Sequence, residues 1–302
     1  MTQIEKNVAR RKQLDGIFAV LGLLSTFIGM VTLAALLLDL ATDGAARLTV
    51  QFFTSFPSRF AARAGILSAW VGTTLVMLVT AVTAVPMGVA AGVYLEEYAP
   101  KNWLTAFIEI NIANLAGVPS IVYGLMALGL FVYQLRLGQS ILSAGLTLAL
   151  LILPIVIVAT RESIRAVPGS MREAAYALGA TKWQTTRDHV LPYSMGGILT
   201  GIIIALSRAI GETAPLITIG ALTFIAFLPE SPIKSEFPFV SFDWLMSPFT
   251  VMPIQMFNWV SRPQQEFHLN AAATGLVLMV MTLLMNGVAI YFRYRFRKRI
   301  KW

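Results

Sequence analysis

The 302-residue sequence contains no cysteine, so it has no disulfide framework, no thiol nucleophile and no thiolate metal ligand. Its two histidines, His189 and His268, stand alone, with no neighbour at the spacing a metal site requires. Charge is scarce: only 13% of residues are Asp, Glu, Lys or Arg, about half of what a soluble domain carries. No Gly-x-x-x-x-Gly-Lys-Ser/Thr run is present, so the chain lacks the phosphate loop that usually holds ATP. No carboxylate pair of the glycosidase type and no serine elbow appears, which argues against a membrane-embedded enzyme. Apolar residues, at 57% of the chain, dominate what is there.

They gather into six runs long enough to cross a bilayer, which takes about 20 residues each. These lie near 16–38, 67–94, 111–133, 140–160, 196–227 and 271–292. The first lies between Asp15 and Asp39 without a charge; it is too long for a signal-peptide core and reads as a retained anchor. With an inside N-terminus, sixteen Lys/Arg fall on the cytoplasmic side and six on the outer side. This obeys the positive-inside bias and places both termini in the cytoplasm of a multi-pass inner (plasma) membrane protein. The net charge of +8 is then topological and calls for no nucleic acid. The expected divisions are a basic arm over 1–15, a first span with its outer loop over 16–64, a transport domain over 65–292, and a basic tail over 293–302 that meets lipid headgroups. In the outer loop, Phe52, Phe53 and Phe56 beside Pro57 are expected in the membrane interface, and Trp103–Ile110 as an interfacial elbow. The largest outer loop, 229–270, carries six prolines among many aromatics, so it reads as packed structure at the mouth or as a dock for an external partner.

Between the fourth and fifth runs lies a polar stretch, 161–192, with local signals of two short helices. Ser170 and Glu173 have the spacing of a capping box, and Thr181 and Gln184 repeat it. Gly179 suits the left-handed residue after the first helix, and Pro192 is expected to close the second. Ala174, Ala175 and Leu178 would give the first helix a small apolar face for docking. Glu173-Ala174-Ala175, three residues, Gly179, and then Leu191-Pro192 fall in the register of the EAA loop; His189 stands where an aliphatic residue is usual. The stretch thus resembles the loop through which ABC importer permeases engage their ATPase. That resemblance assigns ATPase coupling to Glu173, Ala174, Ala175, Leu178, Gly179, Leu191 and Pro192.

Two further runs place helix-breaking and polar residues inside spans: Asn114 to Gly124, with Gly117 and Pro119, and Ser207-Arg208-Ala209-Ile210-Gly211-Glu212-Thr213-Ala214-Pro215. Counted from residue 195, Arg208 would lie roughly 20 Å into the span, where a lone charge costs at least about 2.5–3.5 kcal/mol. Glu212 at i+4 can neutralise it. On position alone, the pair is equally a structural ion pair or a path for an anion. With the loop, these runs resemble the A-type permease subunit of phosphate-specific ABC importers over about 65–292. The resemblance implies an all-α membrane protein with six transmembrane helices and the type I importer fold. It implies a second permease subunit in a heterodimer, two ATPase subunits and an external phosphate-binding protein, with no cofactor and no catalysis of its own. It makes Arg208, Glu212, Ser207 and Thr213 the substrate path. Arg161, Glu162 and Arg165 are read as interface anchors. The rival readings are a permease for another oxyanion or solute, and a stand-alone channel or secondary transporter, which should show an internal repeat.

Overall fold

A computed structural model describes residues 3–231, 239 and 241–299, with side chains from residue 11 to 295. Lys234 and Phe237 of the long outer loop lie outside the described residues, as do the side chains of Lys6, Arg10, Arg297, Lys298 and Arg299. The fold is all α. The helices are α1 (Gln3–Gly44), α2 (Val50–Thr54), α3 (Leu67–Val93), α4 (Trp103–Leu115), α5 (Ser120–Ala127), α6 (Ile141–Arg165), α7 (Gly169–Ala177), α8 (Lys182–Thr185), α9 (Leu191–Gly211), α10 (Ala214–Thr218), α11 (Met252–Val260) and α12 (Gln265–Arg299). Wide π turns extend α3 over Tyr94–Tyr98 and α5 over Leu128–Gln134, and another links α8 to α9 over Thr186–Val190.

Among the described residues, five helices are long and apolar enough to cross a membrane, and a bent pair counts as a sixth if it forms one span. The expected run at 111–133 is that pair: α4 and α5 meet at 106°. Pro119 causes the break, because it has no N–H and cannot continue the ladder from α4. Tyr123 Oη donates 2.8 Å to the Leu115 carbonyl across the corner and holds it. The expected run at 196–227 is also shorter than read. The α9 helix stops at Gly211, Glu212 is extended, and Pro215 sits in the first turn of α10. A proline there cannot donate to the Gly211 carbonyl, so the helix ends.

The centre is the α3–α6 pair. Gly88 and Gly92 on α3 face Val156 and Thr160 on α6 so closely that an added Cβ would come within 2.7 Å and 2.6 Å of those side chains. Small residues four apart let two membrane helices touch backbone to backbone. Thr80 Oγ1, 3.2 Å from the Gly145 carbonyl, adds a polar link between them. Ile152, Ala205, Leu216 and Ile219 join α6, α9 and α10 in one core. A second core, at the opposite end from the polar 161–192 loop, holds Phe52, Ile66, Met252, Trp259 and Phe267. Phe52 is therefore buried against Trp259 rather than placed in the interface, while Phe53 stays more exposed. The α11 helix gives the 229–270 loop its packed part. The Gly44 end of α1 packs on α12, against Ala273, while its apolar side chains from Phe18 to Leu36 are exposed.

Candidate functional site

Two places carry the polar chemistry. The first is the break after α9. Arg208 lies in the last turn of that helix and Glu212 caps it, with Arg208 Nε 3.3 Å from Glu212 Oε1. Their side chains are 42% and 19% exposed, so the pair opens toward space and not into packed protein. Tyr123 of α5 lies within electrostatic reach of the guanidinium. Thr213 caps α10 through its carbonyl, which accepts from Leu216 N at 3.1 Å. Ser207 is committed to another helix: its hydroxyl sits 2.7 Å from the Ile203 carbonyl and 2.7 Å from Asn286 Oδ1 of α12. Arg208, Glu212 and Thr213 thus share one break, and Ser207 fastens α9 to α12 beside it. Gly124 of α5 packs directly on Pro215 and Thr218 of α10, which joins the two broken segments to each other. An exposed guanidinium with one carboxylate neighbour can donate through its planar fork to the oxygens of an anion.

The second place is the polar loop. The α7 helix ends in a complete Schellman turn, with Ala180 N donating to the Ala175 carbonyl at 3.1 Å and Gly179 N to the Tyr176 carbonyl at 2.9 Å. Gly179 adopts φ +84°, the left-handed conformation its position demands. The Thr181–Gln184 capping box is formed at the start of α8. The Ser170–Glu173 box is not: α7 begins at Gly169 after Pro168, so Ser170 lies two residues inside the cap position, and Glu173 is left exposed. Nor does Pro192 close α8. The helix continues from Lys182 to Gly211 as one span, because the π turn ahead of Pro192 absorbs the missing N–H. Glu173, Ala174, Gly179 and especially Leu178, at 90%, are exposed, whereas Ala175 faces inward and Leu191 and Pro192 are half-buried. The exposed face of α7 is therefore Glu173, Ala174, Leu178 and the glycine turn.

Sequence reasoning missed what holds this loop. Arg172 of α7 reaches Glu97 beyond α3 at 2.6 Å and also donates to the carbonyls of Val167 at 2.9 Å and Ile164 at 3.1 Å. Arg161 pairs with Glu109 of α4 at 2.7 Å and Glu96 at 3.5 Å. Arg165 takes both oxygens of Glu96, at 3.2 Å and 3.0 Å. Arg161 is buried in this cluster instead of anchoring at the interface. A signal existed: Glu96, Glu97 and Glu109 of the 95–110 segment face Arg161, Arg165 and Arg172, three of the four arginines of the 161–192 stretch.

This architecture, with a polar inner loop between two spans and broken helices near an ion pair, defines a membrane permease. The chain belongs to the family of binding-protein-dependent transport system inner membrane components, which it matches over residues 84–302. It is 34% identical to the phosphate transport system permease protein PstA of Yersinia pestis over 294 residues, 96% of this chain and 93% of the relative. It is 32% identical to PstA 1 of Mycobacterium tuberculosis (strain CDC 1551 / Oshkosh), over 79% of this chain and 73% of that one. The probable ABC transporter permease protein YqgI of Bacillus subtilis (strain 168) is also 32% identical, over 79% of this chain and 82% of the relative. Among solved structures, an inward-facing form of the MetNI methionine ABC transporter overlays with a TM-score of 0.56 at 15% identity, covering 74% of this chain and 94% of the other. An amino acid ABC transporter overlays at 0.55 with 18% identity, covering 76% of this chain and 93% of the other. The fold is thus that of type I importer permeases, and the protein is a multi-pass inner-membrane permease component.

Proposed function

We propose that this chain is one permease subunit of an ATP-driven importer whose cargo is inorganic phosphate. The observation that carries the cargo is the 34% identity with a phosphate transport system permease along 96% of the chain. The exposed Arg208 at the α9 break agrees with it, since a neutral solute requires no arginine there. The chain has no phosphate loop of its own, so in this reading two ATPase subunits supply the energy. They dock on Glu173, Ala174, Leu178 and Gly179, with Leu191 and Pro192 passing the motion into α9. A second, different permease subunit completes the pathway, and an external phosphate-binding protein delivers to the outer side, with both termini cytoplasmic. As phosphate passes, two of its oxygens meet the Arg208 fork. Glu212 shares that charge and keeps the dwell short, and Thr213 lines the same break.

The test is uptake of radiolabelled phosphate into proteoliposomes holding the chain with its ATPase and permease partners and the binding protein. ATP-dependent uptake that excess sulfate or molybdate does not compete away is the expected result. Uptake of another oxyanion with no phosphate transport would overturn the cargo and leave the permease class intact.

A further inference from the structure

Each arginine at 161, 165, 172, 187 and 208 has a carboxylate within 4 Å. Arg293, at the inner end of the last span, has none among the described residues; its Nη1 donates 3.0 Å to Thr200 Oγ1 of α9 and to no acid. The guanidinium lines a cleft of about 550 Å³ between α9 and α12. One wall is the face Tyr193, Gly196, Gly197 and Thr200 of α9; the other is Ile290, Arg293 and Tyr294 of α12. Both sets recur at helical spacing, so the cleft is a groove running along two neighbouring helices. Gly196 leaves its floor open, with no atom within 4 Å of where a Cβ would stand.

A guanidinium at a membrane boundary without an acid takes its counter-charge from outside the protein. The groove supplies a planar cation and room for a bulky anion, and Thr200 holds the cation in place while its own hydroxyl donates to the Gly196 carbonyl at 2.8 Å. The inner leaflet is the anionic one, and each basic residue near it attracts such headgroups. We propose that this cleft binds a phosphate group, and that its usual occupant is the headgroup of an anionic inner-leaflet lipid, which bridges α9 and α12. Free inorganic phosphate has the same chemistry and is the other source. This site lies apart from Arg208 and does not depend on which solute the permease carries.

The assembled complex, in nanodiscs with and without phosphatidylglycerol, would be released into mild detergent and its retained lipid counted by native mass spectrometry. Wild type should keep phosphatidylglycerol. Arg293→Gln should lower its retention about tenfold, the factor that the loss of one charge-assisted contact of about 1.5 kcal/mol converts to. Arg295→Gln, which alters a side chain bonded instead to Tyr291, should change it little. Thr200→Val keeps the charge and should weaken retention less, which separates loss of the site from misfolding. Adding inorganic phosphate tests the second source: if it displaces the lipid from wild type and not from Arg293→Gln, free phosphate shares the groove. Equal retention in wild type and Arg293→Gln, with no effect of phosphate on either, would overturn the site.

Discussion

The charge at Arg208 has a single carboxylate neighbour, and how much of its role that neighbour explains can be measured. If the pair only balances charge, Arg208→Gln with Glu212→Gln should recover the transport lost by either single change, because no charge remains unpaired. If the arginine meets the cargo, the double variant assembles and still fails. The expected outcome is the second, with loss of uptake of roughly tenfold to a hundredfold, the scale of a charge-assisted contact. Arg208→Lys should recover part of it, keeping the charge and losing the fork. Gly179 gives a separate test. No atom lies within 4 Å of its missing Cβ, so a substitution there meets no clash, and the cost is purely that of φ +84°. Gly179→Val should destabilise α7 by about 1–2 kcal/mol and cut ATP-dependent transport. Gly179→Asn should be milder, since asparagine tolerates this conformation. Unfolding midpoints and uptake read both.

At the scale of elements, the unread feature is how α7 is held. Glu97 is only 6% exposed and Arg172 21%, so removing either one strands a charge in a dry place. Arg172→Ala should cost about 3 kcal/mol. It should also leave ATP hydrolysis running with less transport, because α7 would no longer move with the end of α3. Exchanging the two, Arg172→Glu with Glu97→Arg, should restore part of the coupling; hydrolysis and uptake measured in parallel would show no uncoupling if the tie is idle. The helices themselves were legible, because runs such as 140–160 carry no charged residue and are apolar but for a few serines and threonines. So was the glycine turn, since only a few residues accept a positive φ. The boundaries were not: Pro192 and Ser170 have the right types for a stop and a cap, but a wide turn and a proline two residues earlier decided otherwise. Arg172 was opaque for another reason. Its partner is 75 positions away, and nothing local marks a long-range pair.

On the whole molecule, the proposed orientation makes an accessible test because the chain has no cysteine. Loop residues Thr185 and Ser241 look suited to labelling, but both are buried. Leu178 and Phe242, at 90% and 70% exposure, are better sites. Phe242→Cys should react with a membrane-impermeant thiol reagent from outside only, and Leu178→Cys from the cytoplasmic side only. The opposite pattern would invert the topology and remove the ATPase dock. The outer end also corrects a simple expectation. Phe52 joins Trp259 and Phe267 in a closed core, since a ring has more to gain from packing on two others than from lying among headgroups.

The wide turn at Thr186–Val190 has a consequence for angular phase. It inserts an irregular winding between α8 and Arg208 within one unbroken span of 30 residues. Each residue of an ordinary helix turns the axis by about 100°. Deleting a single residue from this turn, Asp188 for instance, should remove the wide winding and leave α9 nearly in phase with α8, whereas winding the same residues as ordinary α-helix would rotate α9 by roughly that angle. The guanidinium would then point at a different neighbour although its own helix had lost nothing. The aim of the arginine is thus set about twenty residues before it, by how many residues the chain spends in one turn.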